Sequence, residues 1–95
     1  MFLLRLTYTR PLEEVDALIR EHMAWLNEGY RNGRFVISGR QIPRAGGIIF
    51  ADGGDRAEVE ALAASDPFVR GGVATVEVIE FRAMMTAPGF PVSVE

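Results

Sequence analysis

The sequence predicts an α+β fold in which strands and helices follow one another as βαββαβ. Three observations predict it. Four short segments rich in β-branched, aromatic and aliphatic residues are bounded by glycine or proline, two longer stretches carry apolar residues at helical spacing, and the two kinds of segment interleave in that order. A chain of 95 residues makes one domain with a modest core, because a protein this short hides only about 60–65% of its unfolded surface.

Residues Phe2 to Tyr8 alternate, with Phe2, Leu4, Leu6 and Tyr8 pointing one way and Leu3, Arg5 and Thr7 the other, which reads as a strand. A helix follows from Pro11 to Asn32. Proline suits the first helical position, and Glu13, Glu14 and Asp16 complement the positive end of the helix dipole. Its apolar stripe is Leu12, Val15, Leu18, Ile19, Leu26 and Tyr30, and Gly33 lies just past its end. Phe35 to Ser38 is a short strand, Gly39 to Ala45 a loop, and Gly47 to Asp52 a third strand closed by the Gly53–Gly54 turn. Asp55 is a good N-cap, and Glu58 three residues on resembles a capping box. That second helix runs to about Ser65, since Pro67 disfavours helical geometry at Asp66. After the Gly71–Gly72 turn, Thr75 to Arg82 forms the last strand. The domain is residues 1–82, and residues 83–95, with Pro88, Gly89 and Pro91, form an irregular tail.

Right-handed crossovers convert this order into the ferredoxin-like arrangement, a four-stranded antiparallel sheet with two helices on one face. The opposite face is not polar enough to meet water. The second and third strands are apolar on both sides, and the fourth offers Val76 and Val78 to one face and Ile79 and Phe81 to the other. The expected cover is a second copy of the sheet, giving a homodimer through the open sheet face. The tail, with Met84, Met85 and Phe90, either wraps that partner or folds under its own sheet.

Two polar residues interrupt the apolar stripes. His22, the single histidine, lies on the first, and Asp66 is the next position on the stripe of Val59, Leu62 and Ala63. A carboxylate on one ring nitrogen orients an imidazole and stabilises the imidazolium, while the other nitrogen accepts a proton near neutral pH. Such a pair suits proton abstraction beside a carbonyl, elimination of a leaving group, or activation of water. Each residue also has a structural reading. His22 fits a hydrogen-bonded core histidine, and Asp66 before Pro67 fits a cap for a short helical turn. The two roles of Asp66 are compatible, because a carboxylate has two oxygens.

Composition removes other classes of function. All ten cations are arginines, scattered along a chain of net charge −3, so no basic stripe is offered to nucleic acid. Without cysteine there is no disulfide, thiolate site or cysteine nucleophile. One histidine supplies too few ligands for zinc, and no glycine pair fits a phosphate loop, so no metal or cofactor is expected. No run approaches the ~20 apolar residues of a membrane span, and Met1–Leu6 is broken by Arg5 with no cleavage site after it. A cytoplasmic protein is the expectation.

Three segments together resemble the YCII-related family. They are Glu21-His22-Met23-Ala24-Trp25-Leu26 with Gly33, Val36-Ile37-Ser38-Gly39, and Ser65-Asp66-Pro67-Phe68-Val69 followed by Gly71-Gly72-Val73. The resemblance covers about residues 2 to 82. It implies a dimeric α/β barrel and an active site built from a histidine and an aspartate, which by position are His22 and Asp66. It also points to elimination or isomerisation, since some YCII-like proteins are implicated in breakdown of chlorinated aromatics and enzymes of similar barrel fold isomerise lactones. Many relatives carry proline after the turn glycine, where this chain has Arg40, a change that favours an anionic ligand. Ser38, Arg40, Phe68 and Arg70 are the expected substrate-binding residues, with Arg44 and Trp25 near them.

Two functions stand side by side at this point. One is a small lyase, isomerase or hydrolase using His22 on a small polar or aromatic acid, and the other is a non-catalytic ligand-binding or accessory homodimer. A haem protein with His22 as axial ligand is a third reading, disfavoured by the short chain and the lack of a partner motif.

Overall fold

The alternation and capping patterns in the chain become four strands and four helical segments in the computed structural model, which describes residues 1–92 and 94. In chain order they are β1 (Phe2–Tyr8), α1 (Leu12–Asp16), α2 (Ile19–Arg31), β2 (Phe35–Arg40), β3 (Gly46–Ala51), α3 (Arg56–Ala64), α4 (Pro67–Arg70) and β4 (Ala74–Glu80). The strands pair in the order β2-β3-β1-β4, with every neighbouring pair antiparallel. This is the ferredoxin-like α+β sheet that the βαββαβ order predicts.

The face of the sheet that carries the core follows from β1. Phe2, Leu4 and Leu6 are buried, and opposite them β3 contributes Ile49 and Ala51 while β4 contributes Val76 and Val78. Val15, Leu26, Val59, Ala63 and Phe68 close over this layer from the helices. The other face holds Leu3, Ile37, Ile48, Phe50 and Ile79, relieved by the Arg5–Glu77 ion pair between β1 and β4. Ile37 remains 53% exposed there. Tail residues Met84, Met85, Phe90 and Val92 border a groove of about 480 Å³ with Met1, Phe50 and Phe81, while Met85 stays 91% exposed. The tail's Ser93 and Glu95 lie outside the described residues.

Several boundaries differ from the sequence expectation. The stretch from Pro11 to Asn32 is two helices, not one. Pro11 precedes α1, and at Leu18 the backbone bonds back to Val15 rather than to Glu14, a tighter turn that no glycine or proline marks in the sequence. Leu12 and Tyr30, assigned to the buried stripe, are both exposed, whereas Gly29 is buried. The Phe35 ring lies where a side chain on Gly29 would stand, so a Cβ there would come within 2.1 Å of it. Asp55 caps α3 as expected, its side chain accepting from Glu58 N–H at 2.9 Å, but the Glu58 carboxylate reaches Arg34 instead of closing the box. Asp66 is not on α3. It caps the separate turn α4, with Pro67 at the first helical position.

Candidate active site

His22 and Asp66 meet. The His22 ring projects inward from α2, and its Nδ1 lies 2.8 Å from Asp66 Oδ1. His22 is 8% exposed and Asp66 fully buried at 0%. Asp66 reaches this position because it caps α4: Phe68 N–H donates to the same Oδ1 at 3.0 Å, which locks the carboxylate in place. Its second oxygen, Oδ2, is sealed from solvent without a hydrogen-bond partner. The imidazole is clamped on its faces as well. Phe68 stacks on it at 3.9 Å between centroids with planes 9° apart, and Trp25 lies at 5.8 Å on a tilt of 29°. Trp25 is held in turn, donating from Nε1 to Ser65 Oγ at 2.9 Å.

With Nδ1–H given to Asp66, the neutral ring carries its lone pair on Nε2. His22 lines a cavity of about 250 Å³, between α2 and the ends of β1, β2 and β3. Phe68, Ser38 and Arg40 share that lining. A β-bulge brings the last two there. Strict alternation from Phe35 would turn Ser38 and Arg40 to the open face of the sheet. A register shift between Phe35 and Ile37 instead places Ser38 opposite Ile49 and Arg40 opposite Gly47, on the His22 side. Ser38 Oγ is 2.6 Å from Tyr30 Oη. Among the described residues, Arg40 is the only arginine, lysine or acid on the lining.

The remaining candidates lie elsewhere. Arg70 is exposed at the end of α4 and does not line the cavity. Arg44 is turned to Asp16, which accepts from it at 2.5 and 3.4 Å. That bond holds the Asp16 carboxyl below the usual carboxylate range, with Arg40 adding a smaller effect, and raises Arg44. Trp25 backs His22 without lining the cavity. Sequence reasoning missed Tyr8 and the glycines at the cavity floor. Tyr8 shares the alternation phase of Leu6, which is the signal that places it on this side. Gly47 pairs with Leu6 and Arg40 and lines the cavity, and a Cβ there would come within 3.2 Å of the Gly39 carbonyl oxygen. Among the described residues no group of three or more histidine, cysteine or acidic side chains is placed to hold a metal, and no helix is long and apolar enough to cross a membrane.

A model of the YCII-related domain matches residues 1–82. The chain belongs to the YCII-related family. No curated protein matches this YCII-related chain. Among solved structures, it is similar to the 5-chloro-2-hydroxyhydroquinone dehydrochlorinase of Burkholderia phenoliruptrix AC1100, in a complex with 2,5-dihydroxybenzoquinone. The TM-score is 0.72 at 18% identity, covering 87% of this chain and 95% of that one. At that identity the likeness establishes the shared fold.

Proposed function

We propose that this protein is a small acid–base enzyme, a lyase, isomerase or hydrolase, in which His22 moves a proton on a small polar or aromatic acid. The observation that carries the reading is the 2.8 Å His22–Asp66 bond at the wall of an open cavity. His22 Nε2 takes the proton. Asp66, through Nδ1–H, orients the ring and stabilises the imidazolium, and the same ring then returns the proton to carbon or to a leaving group. Arg40 receives the substrate's carboxylate or phenolate, Ser38 contributes a hydroxyl, and Phe68 forms an apolar wall. Dehydrochlorination, the activity named for the structural neighbour, is loss of a proton and a chloride and so belongs to this reaction class. We further infer that a second copy covers the open face of Leu3, Ile37, Ile48, Phe50 and Ile79, as a homodimer, with the tail at its edge.

The test is deuterium exchange and turnover over a panel of hydroxylated and chlorinated aromatic acids, read by mass spectrometry. The wild type exchanges or converts at least one of them, and His22→Ala lowers that rate by about 10²–10⁴-fold. A rate that survives His22→Ala refutes the assignment. Tight binding with neither exchange nor turnover across the panel would instead make this a ligand-binding dimer.

A further inference from the structure

Beside Phe68 the cavity holds a second polar ring, and we propose that the Tyr8 phenol donates a hydrogen bond to the substrate oxygen that gains charge as His22 removes its proton. The inference rests on the reading of His22 as the proton acceptor. Tyr8 ends β1 on the core side of the sheet and lines the cavity with His22. Both rings contact Phe68, which His22 meets face to face at 3.9 Å and Tyr8 edge-on at 5.9 Å and 86°. A planar substrate in the cavity therefore has His22 and Tyr8 among its polar neighbours, with Ser38 and Arg40.

The environment of Tyr8 decides what its hydroxyl can do. The Arg44 guanidinium lies 5.7 Å from the ring centroid, and it is held there by Asp16. A phenol beside a cation still has its own proton to give, and the positive charge makes that O–H a stronger donor. The other cavity hydroxyl, on Ser38, is already bonded to Tyr30. Tyr8 is thus the lining hydroxyl with no hydrogen bond to another side chain among the described residues, and Arg44 is its positioning residue.

The step balances without a further reactant. A proton leaves the carbon beside a carbonyl for His22 Nε2, the C–H electron pair forms the new carbon–carbon double bond, and the carbonyl π pair moves to oxygen. That oxygen then accepts from Tyr8 O–H.

The oxyanion mimic 4-nitrophenolate tests this, because its visible absorption band moves when its oxygen accepts a hydrogen bond. The single histidine of the chain gives an unambiguous NMR report on whether the probe enters the cavity. In the wild type the His22 ring signals move and the band shifts. Tyr8→Phe keeps the ring and its edge contact with Phe68, and it weakens binding by at least about tenfold and abolishes the band shift. Arg44→Gln, with Tyr8 in place, leaves the His22 response and reduces the band shift. If the His22 signals move but affinity and band are the same in Tyr8→Phe, the role of Tyr8 is refuted while the His22 reading stands. If the probe leaves the His22 signals unmoved in the wild type, the cavity is not the binding site and both fall together.

Discussion

Replacing Asp66 with alanine removes two bonds through one oxygen. Oδ1 caps α4 by accepting from Phe68 N–H at 3.0 Å and holds His22 Nδ1–H at 2.8 Å. Loss of the cap costs about 1 kcal/mol. Loss of the histidine's acceptor strands a donor in a site where His22 is only 8% exposed, at a cost of roughly 1–3 kcal/mol. Asp66→Ala is therefore expected to lose about 2–4 kcal/mol in urea unfolding, with an unchanged denaturant slope. In a thermal scan that is a fall of roughly 4–8 °C per kcal/mol for a domain of this size. Asp66→Asn separates the two contributions from charge. Its amide oxygen can accept both bonds, but its NH₂ then takes the buried place of Oδ2, which has no hydrogen-bond partner. It should fall between the wild type and the alanine variant. All scans use one protein concentration, so that self-association does not move the midpoint. A loss below about 1 kcal/mol for Asp66→Ala, or equal losses for the two variants, refutes the claim that Oδ1 carries both bonds.

Two further expectations follow from geometry. Gly29→Ala puts a Cβ 2.1 Å from the Phe35 ring, and overpacking of that kind costs roughly 1–3 kcal/mol. Denaturation of this variant should show it, and a neutral result would mean that Phe35 has room to turn aside. Arg44 lowers the Asp16 pKa, so the folded value lies below the unfolded one of about 3.9. The resulting stability is present above that unfolded value and is lost as pH falls through the folded one. Unfolding midpoints taken between about pH 6 and pH 3 should fall less steeply in Asp16→Asn than in the wild type. Parallel acid limbs would rule out this coupling.

Much of the fold was legible because its causes are local. The alternation of Phe2, Leu4 and Leu6 chose the buried face of β1, and Val76 and Val78 fell on that face of β4. His22 was visible as a polar residue on an apolar stripe and Asp66 as a carboxylate placed before proline, and the structure brings them together. The break at Leu18 was invisible, since it is a change from one hydrogen-bond spacing to another in residues that tolerate both. So was the bulge in β2, because the extra residue is specified by pairing with β3 rather than by any turn residue in β2. Arg44 and Arg70 looked equivalent to Arg40 along the chain. Asp16, 28 residues from Arg44, draws one of them aside, and the end of α4 carries the other out to the surface.

By itself the sequence determined the order of strands and helical stretches, and which two polar groups face the interior, because periodicity, caps and glycine turns act over a few residues. Tertiary structure alone decided the composition of the cavity. Pairing across the sheet turned Ser38 and Arg40 inward, placed Gly47 on the lining and brought Tyr8 beside Phe68. Those placements depend on contacts between residues far apart in the chain, where a shift of one position in strand register exchanges one face of the sheet for the other.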